Sequence, residues 1–184
     1  NSTAAVIPNR SVVYINGANG DNTTIALAQA NAESTSYRTF GITESDIAIN
    51  GTGVVVIIGE VLNVDTGSFN DGDQLYLSPT IAGGITNIKP SAPNHMVYVG
   101  VVTRANNNNG KIEVNISNGF ELNELHDVAI NGKLNKDLVS YEQSTNLWKN
   151  KSAATLGIAE LSDPRINALT TNFIAQSAKS TSTV

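Results

Sequence analysis

The sequence predicts an all-β protein: a β-sandwich or barrel-like domain, then a small β connector, then a short helical or extended C-terminal segment. Three observations carry this. Short β-branched or aromatic runs recur through the first two thirds of the chain; Asn- and Gly-rich turns separate them; and one run alternates apolar and polar residues with the two-residue period of a half-buried strand. The expected divisions are residues 1–118, 119–151 and 152–184.

The first strand is "SVVYIN" (Ser11–Asn16), closed by the turn chemistry of "NGANGD" (Asn16–Asp21). "TTIALAQANAEST" (Thr23–Thr35) is ambiguous, because its alanines favour helix while it lacks an apolar stripe and sits among strands. It is read as strand. "GTGVVVIIGEVLNV" (Gly51–Val64) reads as one long strand or a pair broken at Gly59, and its apolar run Val54–Ile58 implies burial on both faces.

"DQLYLSP" (Asp73–Pro79), "MVYVGVVTR" (Met96–Arg104) and "KIEVNIS" (Lys111–Ser117) follow. The last places Ile112, Val114 and Ile116 on one face and Lys111, Glu113 and Asn115 on the other. "ANNNNG" (Ala105–Gly110) between the last two is a hairpin loop, since Asn and Gly tolerate positive φ. Beyond Gly119, "DLVSYEQSTNLWKN" (Asp137–Asn150) reads as a hairpin of "LVSY" against "NLWK" around "EQST". "SAATLGIAELSDPRINAL" (Ser152–Leu169) has helical periodicity until Pro164 interrupts it.

Composition narrows function. A net charge of −5 with no basic run argues against a nucleic-acid surface. The absence of cysteine removes disulfides, thiolate nucleophiles and Cys-based metal sites. No apolar run approaches the roughly 18 residues that would span a bilayer, and no signal-peptide pattern opens the chain. Asn1 in place of an initiator Met implies a processed or excised piece of a longer protein. Charged residues make up 15% of the chain, against about 25% in ordinary domains, a profile that suits a secreted or virion-type surface protein.

The run "GDQLYLSPTIAGGITNIKPSAPNHMVYVGVVTRANNNNGKIEVNISNGFELNELHDV" (Gly72–Val128) resembles a module of tailed-bacteriophage tail fibres and other virion appendages. So do "INGANGDNTTIALAQANAESTSYRTFGI" (Ile15–Ile42), "GTGVVVIIGEVLNVDTGSF" (Gly51–Phe69) and "NKDLVSYEQSTNLWKNKS" (Asn135–Ser152). The resemblance implies a homotrimer of β-domains along a threefold axis. Such a protein is located in the virion, docks on other virion proteins and carries distal parts that meet a host cell-surface receptor. It implies no catalytic residue and no cofactor. A receptor- or carbohydrate-binding module and a capsid-decorating head fibre are the alternatives.

Each cluster that invites chemistry has a plainer reading. Glu121, Glu124, His126 and Asp127 lie within seven residues, yet neither an extended nor a helical reading gives them metal-ligand spacing. Asp65, Asp71 and Asp73 suggest a calcium loop, but no acid closes it after Asp73, so "NDGD" is read as a tight turn. "TIAGGITNIKP" (Thr80–Pro90) lacks the Lys and Ser/Thr of a phosphate loop. His95 reads as a satisfied histidine at a strand start, and Trp148 as a packing anchor. Scattered acids argue against a depolymerising enzyme, which needs two carboxylates flanking a cleft. What remains is apolar: Leu122, Leu125, Val128, Ile130, Leu138 and Trp148 in a stretch too short to bury them alone, and these are the expected self-association residues.

Overall fold

A computed structural model of the protein describes residues 1–158. The chain divides into two compact units, Asn1–Gly119 and a second beginning at Phe120.

The first unit is all-β and holds two sheets. Strands β1 (Val12–Asn19), β2 (Asn22–Leu27), β3 (Thr39–Thr43) and β4 (Val55–Val56) form one, in the order β2-β1-β3-β4. Strands β5 (Ile58–Val64), β6 (Gln74–Leu77), β7 (Ile85–Thr86), β8 (Val97–Arg104) and β9 (Gly110–Asn118) form the other, in the order β5-β9-β8-β6-β7. All pairings in both sheets are antiparallel. The helix α1 (Glu33–Ser36) is a single turn.

The two sheets share one core, which makes the unit a sandwich. Val12 and Ile42 from the first sheet pack in the same buried cluster as Val61, Leu75, Val99, Val102, Ile112 and Val114 from the second. Neighbouring side chains on a strand point to opposite faces, so Val13 turns away from that core. It joins Ile7, Ile25 and Ile47 in a second, smaller cluster on the other side of β1. The backbone bonds between Ile7 and Ile47 (3.0 and 2.9 Å) hold the N-terminal segment over this cluster. The start of β1, at Val12 and Val13, is therefore buried on both faces, and the strand emerges toward solvent at its far end.

The alternation read in Lys111–Ser117 is present, with Ile112 and Val114 buried and Glu113 and Asn115 exposed. The β8–β9 loop is tied down by the buried Thr66, whose hydroxyl donates to the Arg104 carbonyl (2.7 Å) and accepts from the Asn106 N–H (3.0 Å). Gly83 sits at φ +75, where a Cβ would lie 2.8 Å from Leu27. Its N–H donates to Ala28 O (2.7 Å) and its carbonyl accepts from Val12 N–H (2.8 Å), so the Gly pair of "TIAGG" pins a loop onto the first sheet.

Three readings need correction. The first strand runs on to Asn19 with a register shift between Ile15 and Gly17, and only Gly20 and Asp21 make the turn. Thr23–Thr35 is strand only as far as Leu27, and its end enters α1. The run Val54–Ile58 is not buried on both faces. It breaks at Ile57, where the chain leaves one sheet for the other, and both β4 and β5 are edge strands with no neighbour on one flank. Val54, Ile57 and Ile58 are accordingly exposed, Ile58 at 70%.

In the second unit a 3-10 turn (Leu122–Glu124) precedes β10 (Val128–Ala129), β11 (Leu138–Glu142) and β12 (Leu147–Lys151), ordered β10-β12-β11. β11 and β12 are antiparallel, and β10 runs parallel to β12. The hairpin is the expected one with its loop moved: Glu142 belongs to the strand, Asn146 takes the left-handed φ of +55, and Tyr141 stands opposite Trp148. Ser152–Ile158 forms hydrogen-bonded turns. The rest of the helical pattern expected over 152–169, and of the tail, lies outside the described residues.

Candidate functional site

The second unit differs from the first in one property that decides where to look. No residue from Phe120 to Ile158 is buried. Its three strands are held by backbone ladders and polar contacts, and its apolar side chains have found no core among the described residues.

The hairpin register sorts these side chains by face. Residues directly opposite in an antiparallel pair share a face, so Val139 with Asn150 and Tyr141 with Trp148 lie together. Val128 of β10 is in register with Trp148 and joins them. The Tyr141 and Trp148 rings pack at 5.5 Å between centroids, tilted by 59°. Even so Val139, Tyr141 and Trp148 are 45, 50 and 43% exposed.

The other face carries the charged side chains, together with Leu138 and Leu147. Glu142 accepts from Lys149 (2.5 Å), Lys151 (3.0 Å) and the Thr145 hydroxyl (3.0 Å). Hydrogen bonds first from Lys149 and then from Lys151 lower its carboxyl from 4.5 to about 2.

The self-association residues expected from the sequence are divided by this geometry. Val128 and Trp148 lie on the apolar face, whereas Leu138 pairs with Lys151 on the other. Leu122 is in the 3-10 turn and Leu125 caps it, both exposed, and Ile130 is half-buried just after β10. Tyr141 is the residue of this face that the apolar pattern of the sequence does not point to. The hairpin pattern carried that signal, but the loop position had to be right before Tyr141 could be set against Trp148.

The acids are occupied by local structure. Glu121 and Glu124 form a reciprocal capping box, each carboxylate taking the other's backbone N–H at the 3-10 turn. Asp65 accepts from Gly67 N–H (3.1 Å) and Asp71 from Ala105 N–H (2.6 Å). Asp73 accepts from Asn70 N–H (3.0 Å) and the Asn87 amide (2.9 Å), bonds that lower its carboxyl, the backbone one most. Each aspartate carboxylate thus accepts from a different residue's backbone N–H, Asp65 and Asp73 within turns and Asp71 across to the β8–β9 loop. Ahead of β8, His95 Nδ1 lies 2.9 Å from a Glu33 carboxylate oxygen, and its backbone N–H donates to Ala30 O (2.8 Å).

The first unit has a cleft of about 400 Å³ that is open to solvent, and another of about 390 Å³ beside Ile81, Ile88 and Lys89. Asn19, Asn22, Thr23, Thr24, Asn50 and Thr52 line the former together with Phe40, Ile25 and Ile47, and no charged side chain is among them. Amides, hydroxyls and one ring are chemistry suited to a neutral polar ligand.

No family model, no curated protein and no solved structure matches the chain.

Proposed function

We propose that the protein is a structural component of a tailed-bacteriophage virion: a homotrimeric segment of a fibre or appendage that mounts on other virion proteins and carries host-recognition parts. The observation that carries this reading is the lack of any buried residue between Phe120 and Ile158. A three-stranded sheet with exposed aromatic and aliphatic side chains is marginal alone in water and gains stability when copies cover it. The resemblance of Ile15–Ser152 to virion appendages supplies the biological setting. The role is mechanical rather than enzymatic. The sandwich is the rigid body, and the second unit joins chains. A head-fibre or capsid-decorating position is a variant of the same role. Electron-density maps of a virion carrying the protein test the assignment: trimeric density on an appendage is expected, and a soluble single chain released by the host cell would overturn it.

A second reading is a receptor- or carbohydrate-binding module, and the cleft lined by Asn and Thr side chains and Phe40 favours it. Glycan-array binding that disappears in Asn22→Ala and Asn50→Ala variants would establish that activity; no binding across the array would remove it.

A further inference from the structure

We infer that the sheet face bearing Val128, Val139, Tyr141 and Trp148 is the surface through which copies of this chain meet. The inference rests on the self-assembling reading above and narrows it to one face.

Charge selects the occupant. In a symmetric assembly a patch meets its own copy or a rotated equivalent, so a patch of one sign repels itself and a neutral apolar patch is its own complement. The chain carries a net charge of −5, and two copies repel wherever that charge faces itself. The β10-β12-β11 sheet turns its charged residues Glu142, Lys149 and Lys151 to one side, where they pair with one another. The side bearing Tyr141 and Trp148 is left without a charged strand residue.

That side is also ready to lose its water. The Tyr141 hydroxyl is bonded to Asn146 Oδ1 (3.0 Å), and the Asn150 amide donates to Asn131 O (2.9 Å) and Asp137 Oδ2 (2.7 Å). Covering the face therefore does not strand these groups. Tyr and Trp are the residues that most often anchor such contacts, because they bury large area at low entropic cost. A copy of the chain brings the same apolar face in equal number, with the one carboxylate beside it, Asp137, held by the Asn150 amide and the Leu134 N–H, and no opposite charge is needed from a foreign partner.

Trp148 is the single tryptophan of the chain, so its fluorescence reports this face alone. The full-length protein is followed by light scattering and acrylamide quenching over a dilution series. The expected result is a multimer with blue-shifted, poorly quenched emission that becomes severalfold more quenchable as dilution yields single chains. Val139→Glu, on this face, is expected to abolish assembly, and Leu138→Glu, one residue away on the opposite face, to leave it intact. A multimer whose Trp148 is fully quenchable would overturn the assignment of the face and leave the appendage reading standing. Single chains at every concentration would overturn both. Shielded emission in a single chain would show that the chain covers its own face, and would equally overturn the inference.

Discussion

Asn1–Gly119 and Phe120–Ile158 are both built from strands, and both carry many apolar side chains, but they use them differently. In the sandwich, two sheets face each other and close over Leu75, Val99, Val102 and Ile112, with a second cluster behind β1. In the second unit a single small sheet has nothing of its own to close against among the described residues, and it turns Val139, Tyr141 and Trp148 outward. The first unit is stabilised by burial within one chain. The second is organised by local polar devices: the Glu121–Glu124 capping box, the Glu142 ion pairs and the Asn150 amide. The contrast teaches that similar secondary structure can serve either as a self-sufficient body or as half of a contact. What separates the two is whether a second layer exists among the described residues of the same unit.

Substitutions should separate the units, and the largest effect belongs to the sandwich. Leu75 is fully buried between the sheets. Leu75→Ala is expected to lower the stability of the first unit by about 2–5 kcal/mol in denaturant titration, through lost transfer energy and the cavity left behind. A loss under about 1 kcal/mol would mean that the sandwich core is not packed as described.

Next comes assembly. Replacing exposed Leu122 and Leu125 together with Asp is expected to weaken self-association by about 3 kcal/mol, roughly 100-fold, while far-UV spectra of the sandwich stay unchanged. Full assembly of this double variant would remove the 3-10 turn from the contact, leaving the Tyr141–Trp148 face as its core.

A smaller effect is expected from Glu142. Its carboxyl lies at about 2 in the folded chain against 4.5 otherwise. A lowered carboxyl stabilises the fold above its unfolded value, and that contribution fades as pH falls from 4.5 through about 2. Melting followed by Trp148 fluorescence should therefore lose stability across this window in the native chain. Glu142→Gln should flatten the dependence. An unchanged profile in the variant would show that the Lys149 and Lys151 pairs contribute nothing.

The smallest expected effect is none. Chelator should leave the melting temperature where it is, because Asp65, Asp71 and Asp73 are engaged by backbone N–H groups. A large fall reversed by calcium would show that they bind an ion as well.

Much of the sandwich was legible because its strands announce themselves locally. Lys111–Ser117 alternates since one face is dry and the other wet, and the Asn-rich loop before it is a hairpin, but none of its residues takes the positive φ expected of them: the Asn106 side-chain oxygen accepts from the Asn108 and Asn109 N–H groups instead. What was not legible depends on neighbours. Val54–Ile58 looks buried from its residues alone, and only the sheet order places β4 and β5 at edges. The candidate face was half legible. Leu122, Leu125, Val128 and Trp148 stood out as apolar residues without a core, but which of them share a side is a matter of register. Leu138 and Trp148 look equivalent along the chain and stand on opposite faces of the sheet.

The central claim is that the second unit joins copies of the chain, and the mass of the full-length protein in solution tests it most directly. Light scattering on the intact chain should give three times the mass of one chain, stable at concentrations where the sandwich is fully folded. A folded protein with the mass of a single chain across the same range would contradict the account.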